Sequence, residues 1–365
     1  MKEVKQKKPV NWAGAWSPVL IVGIAVLFTS LLMLAVGSNP LNAYWVMLKG
    51  SLGSTRALIN TVNKAVPICF AAFAVAIANK AGIFNIGVEG QLAFGAFGAA
   101  LAGAYITGLP AWLHIPLALL CGMAFGMLYA LLPTLLFVRR GVNLLVICIM
   151  MNNIVKLLIT YFVNGPFAGD NAMVSSTKAI QDSAELPYLV RKPSRLSIGV
   201  LIMLAVAVIL WWYMNKTTSG YEMRMCGLNR QAAAYSGIPV KRYMGLSLLA
   251  GGALAGLAGG VEVLGNYHCL YDNFSPGYGF DGIPIAILAG GNPVGIIVGS
   301  LLFGALRTGS IDMQTKAGVS SDIVTVIQGA LITLIACDYI FRFLVKKLGK
   351  GAGRKKARAE KEATV

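Results

Sequence analysis

The residues of this sequence that could do chemistry are polar side chains placed inside long apolar runs. The stretch AGIFNIGVEGQLAFGAFGAA, residues 81–100, carries Asn85, Glu89 and Gln91 among glycines and apolar residues. Polar groups at membrane depth are costly unless paired, so this stretch predicts a broken helix at the centre of a membrane protein. Two interpretations of Glu89 stay open: hydrogen bonds that tie neighbouring helices together, or contact with a transported solute.

A second polar pair, Asn152 and Asn153, lies near the middle of the apolar run at residues 143–163. Adjacent helical residues point roughly 100° apart, so at most one of the two faces a pathway while the other bonds a neighbouring helix. The few charged groups in the apolar runs argue against a strongly charged cargo, and a weakly polar, ring-shaped solute is compatible with contacts from such amides. The predicted pathway residues are Asn85, Glu89, Gln91, Asn152 and Asn153.

Residue patterns typical of enzymes and metal sites do not stand out. His114 and His268 lie near loops without spaced partners, and no G-x-x-x-x-G-K-[ST] nucleotide loop occurs. The formal GxGxxG at residues 277–282 follows no strand, so it predicts a turn. Six cysteines without a CxxC pair indicate neither a disulfide framework nor a zinc site. The sequence thus predicts no catalytic group, metal or cofactor, and a membrane-embedded enzyme remains an alternative class.

Composition indicates what must position these side chains. The 365 residues are 57% hydrophobic and only 12% charged, and several apolar runs exceed the ~18 residues expected of a membrane span. The net charge of +17 comes from residues at the N-terminus, beside spans and in the tail, which is the pattern of positive-inside topology. The fold class is therefore an all-α polytopic membrane protein without a nucleic-acid partner.

The order of apolar runs predicts a transmembrane domain over residues 18–345, between a basic N-terminus at 1–17 and a basic tail at 346–365. Both basic ends are expected in the cytoplasm, so the number of crossings must be even. We predict about ten, counting two short helices within 281–307 that enter the membrane and return, with 309–321 outside. The other predicted spans are 18–37, 57–79, 83–106, 113–138, 143–163, 196–214, 243–264 and 322–344.

Glycines at four-residue spacing predict faces where helix backbones approach closely. The spacing occurs twice, in the seventh apolar run and in the region that follows it. These glycines are Gly252, Gly256 and Gly260, and then Gly291, Gly295 and Gly299.

Two loops are long enough to carry function. The external loop at 164–195 has mixed charge and predicts a solvated surface or a dock for an extracytoplasmic partner. The loop at 215–242 is basic, hence cytoplasmic, and its polar core at 221–242 predicts a short helix that Gly237 and Pro239 end. That helix either docks another protein or belongs to a solvated loop whose charges only fix topology.

Four segments together resemble the permease subunits of bacterial ABC importers. They are NKAGIFNIGVEGQLAFGAFGAA (79–100), GLNRQAAAYSGIPVKR (227–242), LAGGALAGLAGG (249–260) and GFDGIPIAILAGGNPVGIIVGSLLFGAL (279–306). Within these importers the chain is similar to the family of branched-chain amino acid and ribose permeases, and most closely to its nucleoside and simple-sugar branch. The likeness covers residues 60–343 and implies a type II-like importer architecture.

The resemblance implies partners and a site of coupling. It implies a separate ABC ATPase subunit, a second permease subunit in a heterodimer, an extracytoplasmic solute-binding protein or lipoprotein, and multi-pass insertion in the bacterial inner membrane with both termini cytoplasmic. A secondary transporter or channel for a small polar solute is the alternative. The residues that match the family's ATPase-coupling segment are Gly227, Asn229, Ala232, Ala233, Ser236, Gly237 and Ile238.

Overall fold

The computed structural model describes residues 37–169 and 174–320, together with 23, 27–31, 33–35, 323, 325, 326 and 329. The predicted N-terminus (1–17), the tail (346–365) and most of the first and last predicted spans lie outside these residues. Among the described helices, six are long and apolar enough to cross a membrane. A polytopic membrane protein is thus confirmed, while the count of about ten crossings stays a prediction.

The described elements are almost all helices, with one small antiparallel sheet that departs from a purely α-helical prediction. In chain order they are α1 (Leu27–Ala35), α2 (Pro40–Leu52), α3 (Thr55–Lys80), α4 (Val88–Tyr105), α5 (Ala111–Arg140), α6 (Leu144–Asn164), a 3₁₀ turn (Asp182–Ala184), β1 (Tyr188–Val190), β2 (Leu196–Ser197), α7 (Gly199–Lys216), α8 (Thr218–Leu228), α9 (Arg230–Tyr235), α10 (Val240–Glu262) with a π-helical turn (Val263–Tyr267), α11 (Tyr278–Leu288) and α12 (Pro293–Ala317).

The chain divides into two units. The larger unit, residues 47–311, holds both cavities described below. The smaller unit combines residues 1–46 with 312–365. Within it, the hydroxyls of Thr29 and Tyr44 are 2.7 Å apart, and Lys316 forms an ion pair with Asp312 one helical turn away.

Helix α3 is the most buried of the spanning helices. Ser54 caps its N-terminus by accepting a hydrogen bond from the Ala57 N–H, and every residue from 65 to 78 is buried. A helix that is apolar on all sides is stable only when other protein surrounds it. Helix α3 therefore lies inside the larger unit, where it packs against α10 and α11.

Helices α4, α5 and α10 cross where glycines face each other. A Cβ added to Gly256 would overlap the carbonyl oxygen of Gly122, and one added to Gly252 would lie 2.6 Å from the carbonyl oxygen of Gly126. A Cβ added to Gly95 of α4 would overlap the Cα of Gly256. The prediction of close packing is confirmed for Gly252 and Gly256, where only hydrogen atoms fit, but not for Gly260, where a Cβ would meet its neighbours at 3.4 Å.

The second glycine series serves a different purpose. Gly291 has a φ of +71° and lies in the turn before α12, so the prediction that it packs on a helix face is wrong. Gly295 and Gly299 lie in α12, where an added Cβ would come within 3.0 Å of Ala289 and 2.9 Å of Ile285 respectively. These two glycines let α12 lie close to α11 and to Ala289, the residue that follows the end of α11.

The prediction of two short helices within 281–307 is half wrong. Helix α11 has 11 residues and rises roughly 16 Å, too little for ~30 Å of hydrocarbon. Helix α12 has 25 residues and rises roughly 37 Å, enough to cross. Gly290 and Gly291 separate the two helices, but no breaker interrupts 293–317. The helix continues to Ala317, so most of the segment predicted to be external, 309–321, belongs to α12.

The described part of the loop at 164–195 bonds to the helices beside it and is more than a solvated surface. Its backbone bonds the ends of two helices, because the N–H of Gln181 donates to Gly103 and that of Leu186 donates to Leu264. Both histidines support it: His114 bonds the hydroxyl of Ser183 at 2.8 Å, and His268 bonds the Tyr188 hydroxyl. The two histidines thus have structural partners within the described part of the chain.

The glycine crossing predicts a sharp contrast within one helix. Gly256→Ala adds a methyl group that overlaps the carbonyl oxygen of Gly122. This overpacking should lower the free energy of unfolding by about 1–3 kcal/mol or more. Gly260→Ala, one turn further, meets Ala99 and Leu119 at 3.4 Å and should change stability little. Thermal unfolding of the purified protein in detergent measures both, and equal midpoints for the two variants would contradict the crossing.

Candidate translocation site

The junction between α3 and α4 is the broken helix that the sequence predicts. After Gly82 the backbone leaves the helical path, and the Gly87 N–H donates to the Asn85 side chain at 2.9 Å. The Asn85 amide in turn donates to Gln91 at 3.2 Å. Asn85 and Gln91 are both fully buried. Their side chains satisfy the irregular backbone and each other, and neither lines the cavity described below.

Asn152 of α6 completes the start of α4. Its Oδ1 accepts from the Gly90 N–H at 3.0 Å and from the Tyr129 hydroxyl at 2.6 Å, while its Nδ2 donates to the Ile86 carbonyl at 3.2 Å. The first N–H groups of a helix have no partner within the helix, so this amide acts as a cap supplied by another helix. The neighbouring Asn153 bonds only the Ile149 carbonyl of its own helix and is exposed. Asn152 makes the predicted bonds to neighbouring helices, but both asparagines line the cavity described below, which departs from the prediction that at most one of them faces a pathway.

Glu89 joins two helix N-termini. It lies in the first turn of α4, and its Oε2 accepts from the Gly279 N–H at 2.7 Å in the first turn of α11. A Cβ added to Gly279 would lie 2.5 Å from the backbone of Glu89, so only glycine permits this approach. A carboxylate is favoured at helix N-termini, where the peptide dipoles present partial positive charge. The GxGxxG at 277–282 therefore begins a helix, and the prediction of a turn is wrong.

A cavity of about 320 Å³ opens beside Glu89, and we call it the pathway cavity. It lies between the start of α4, one face of α6 and the segment that leads into α11. Its size is at the lower end of that of small-molecule sites. The lining combines carboxylate, amide and ammonium groups with two phenyl rings. Its residues are Glu89, Gly90, Ala93, Ile149, Asn152, Asn153, Lys156, Ile159, Asp272, Asn273, Phe274, Ser275, Gly277 and Phe280. Three of the five predicted pathway residues are among them.

A buried ion pair near the first residue of α11 was not predicted from the sequence. Glu262 of α10 is fully buried, with one oxygen 3.6 Å from the ammonium of Lys64 and the other accepting from Asn266. Lys64 also donates to the Tyr278 hydroxyl at 2.9 Å, at the first residue of α11. Lys64 and Glu262 lie within apolar runs of the sequence, and this placement could have indicated the pair, since ionisable groups are rare in membranes and are paired there.

A second missed pair fixes the same end of α11. Arg307 of α12 donates from Nε to the carboxylate of Asp281 and from a terminal nitrogen to the Pro276 carbonyl at 2.8 Å. Its guanidinium also lies 5.4 Å from the centre of the Tyr278 ring. Helices α3, α4 and α12 each contribute a charged side chain to this one helix start. The position of α11 is therefore set by charged contacts from three sides.

The basic loop at 215–242 contains the short helix that the sequence predicts. Asn229 caps α9, since its Oδ1 accepts from the Gln231 and Ala232 N–H groups at 3.0 and 3.1 Å. Gly237, with a φ of +78°, ends the turn before α10. Gly227 contacts the backbone of residues 80–82 so closely that an added Cβ would overlap the Lys80 carbonyl.

One predicted coupling residue points the other way. Ala233 is only 3% exposed and packs into this chain, so the prediction that its side chain meets a partner's groove is wrong. The exposed residues of this segment include Ala232, Ser236 and Tyr235, the last 93% exposed. Only one face of the six-residue helix α9 can pack against the rest of this chain. Its small residues lie on several faces, so the sequence did not indicate which face is buried.

Six apolar helices of spanning length, a broken helix and a polar cavity between helices define a polytopic membrane transport protein. The family model described as "Branched-chain amino acid transport system / permease component" matches residues 57–336, and the chain belongs to that family. It is 34% identical to the guanosine ABC transporter permease protein NupP of Bacillus subtilis, over 91% of this chain and 96% of the relative.

Two further relatives cover similar lengths. The nucleoside ABC transporter permease protein NupB of Lactococcus lactis is 32% identical, over 90% of this chain and 93% of the relative. The glucose ABC transporter permease protein TsgB13 of Haloferax volcanii is also 32% identical, over 92% of this chain and 90% of the relative. The resemblance to ABC permeases of the nucleoside and simple-sugar branch is thereby confirmed.

The adjacent asparagines predict unequal effects of the same substitution. Asn152→Leu leaves the Gly90 N–H and the Ile86 carbonyl without their partner, at a cost of about 1–3 kcal/mol for each buried group. Asn153→Leu removes one bond within its own helix and should change stability little. The midpoint of thermal unfolding measures both, and a loss of similar size in Asn153→Leu would contradict the assigned cap.

Proposed function

We propose that this chain is the permease subunit of an ATP-driven ABC importer and that a nucleoside or simple sugar crosses the membrane through the pathway cavity. The observation that carries the proposal is the cavity's position, where two helix N-termini meet at Glu89. The printed names of the relatives, which include guanosine, nucleosides and glucose, support this range of cargo.

The lining favours a nucleoside over a sugar. Carboxylates of Glu89 and Asp272 accept hydrogen bonds from hydroxyl groups, and the Asn153 amide both donates and accepts. Phe274 and Phe280 add ring faces on which a flat base can stack, an interaction worth ~1–3 kcal/mol per base in nucleic-acid complexes. A simple sugar uses the polar groups but gains less from stacking.

The proposed topology has ten crossings with both termini in the cytoplasm. Lys80 at the end of α3, Arg140 at the end of α5 and the basic loop 215–242 lie on the cytoplasmic side in this arrangement, as the positive-inside rule requires. Helix α11 then fills the cytoplasmic half of one crossing, and the segment before it fills the outer half. Irregular backbone at that depth is allowed where protein surrounds it.

Coupling to ATP hydrolysis is assigned to α9. Its exposed side, with Ala232, Tyr235 and Ser236, is proposed to rest in a groove of a separate ATPase subunit. Gly227, Asn229, Gly237 and Ile238 hold the helix in position for that contact. A second permease subunit and an extracytoplasmic solute-binding protein complete the proposed importer.

Glu89 provides the test of the pathway. Glu89→Gln keeps an oxygen that accepts from Gly279 but removes the charge, so the protein should fold and assemble while uptake falls roughly tenfold, as expected for loss of a charge-assisted hydrogen bond. Radiolabelled nucleoside uptake by proteoliposomes with ATP inside measures this. Glu185→Gln, on the external loop, serves as the control. Parental uptake in Glu89→Gln would exclude a role for the charge, and uptake driven by an ion gradient without ATP would favour a secondary transporter.

The orientation of α9 provides the test of coupling. Ser236→Trp adds bulk on the exposed side and should reduce solute-stimulated ATP hydrolysis several-fold by overpacking the partner's groove, without lowering the permease's own stability. Ala233→Trp adds the same bulk inside this chain and should instead lower the yield of folded protein. Normal hydrolysis and normal ATPase retention in Ser236→Trp would rule out coupling through this face.

A further inference from the structure

A second cavity, of about 260 Å³, lies where the C-terminal end of α3 meets α7, α8 and the turn between α11 and α12. We call it the basic cavity. Its inner wall is apolar, and its mouth carries two cationic side chains, two amides and a tryptophan. The lining residues are Phe73, Ala76, Ile77, Lys80, Leu210, Trp211, Met214, Asn215, Arg224, Gly290, Gly291, Asn292, Pro293 and Ile296. It shares none of these residues with the pathway cavity.

The charges of the basic cavity are not balanced. Lys80 donates to the Gly290 carbonyl at 2.7 Å, and no carboxylate is among the lining residues. The Nε of Arg224 is shut off from solvent and has no hydrogen-bond partner among the described residues. Neither Arg224 nor Lys80 has a carboxylate partner among the lining residues, and cations that are partly buried without a counter-charge favour an anionic ligand.

The remaining walls indicate what kind of anion fits. Phe73, Ile77 and Leu210 provide an apolar surface next to the two cations. Trp211 and Trp212, at the end of α7, are each about half exposed, as is typical of residues at a membrane–water interface. A free anion would use the cations alone, whereas an anionic lipid would use the cations and the apolar wall together.

We propose that the basic cavity binds an anionic phospholipid of the cytoplasmic leaflet, with its phosphate held by Arg224 and Lys80 and its acyl chains along the apolar wall. The proposal uses the topology in which the Lys80 end of α3 is cytoplasmic. Because Gly290 to Pro293 form part of the lining, the bound lipid contacts the turn that follows α11. Lipid binding would thereby steady the cytoplasmic end of the helix whose other end bonds Glu89.

The test measures lipid binding to the purified full-length protein. Phosphatidylglycerol, added in detergent, should raise the thermal unfolding midpoint, and phosphatidylcholine should not. Arg224→Gln should weaken the apparent affinity for phosphatidylglycerol at least about tenfold, as expected for loss of a charge-assisted hydrogen bond. Arg140→Gln makes the same change of charge on the same side, outside the cavity, and should bind like the parent. Equal losses in the two variants would mean diffuse surface attraction and would overturn the site.

Two further arms identify the occupant independently of the Arg224 variant. Inorganic phosphate alone should give no shift at concentrations where phosphatidylglycerol does, and an equal shift would mean a free phosphate rather than a lipid. Brominated phosphatidylglycerol should quench tryptophan fluorescence, and Trp211→Phe should remove much more of that quenching than Trp212→Phe, since only Trp211 lines the cavity. Equal effects of the two tryptophan variants would contradict occupation of the basic cavity.

Discussion

The backbone between Gly82 and Gly87 leaves its helix inside the larger unit, and the polar groups of its buried residues need partners from the protein itself. The Asn85 side chain accepts from the Gly87 N–H, and the Asn152 side chain donates to the Ile86 carbonyl. At the start of α11, the Glu89 carboxylate accepts from the Gly279 N–H in the same way. The glycine crossing further along α4 lets this helix approach α5 and α10 closely.

Charged side chains in the larger unit follow the same constraint. Glu262 and Lys64 lie together, Asp281 is held by Arg307, and Glu89 accepts from the backbone of Gly279. All of these contacts converge on the first turns of α11, a helix too short to span. Helix α11 packs its buried apolar residues against α3, and the directional polar bonds at its first turns fix where it begins.

The features that could be predicted from the sequence are local in the chain. Apolar runs gave the spanning helices, and the polar residues around Glu89 indicated the break in α4. The contacts that complete the site are between residues distant in sequence, such as Lys64 with Glu262, and no spacing rule pairs them. A turn does separate the two helices predicted within 281–307, but α12 is longer than predicted because it continues beyond Arg307, through polar residues, to Ala317. The inward side of Ala233 depends on how α9 is seated, which its six residues alone do not specify.

The contact between Gly82 and Gly227 has a mechanical consequence. Here two stretches of main chain touch with no side chain between them, and Arg230 adds a bond to the Gly82 carbonyl at 2.6 Å. Flexible side chains absorb small displacements, whereas main chain pressed on main chain transmits them without play. Glu89 follows Gly82 by seven residues, so a displacement of the loop at 215–242 that moves Gly227 also moves the segment that leads to the pathway cavity.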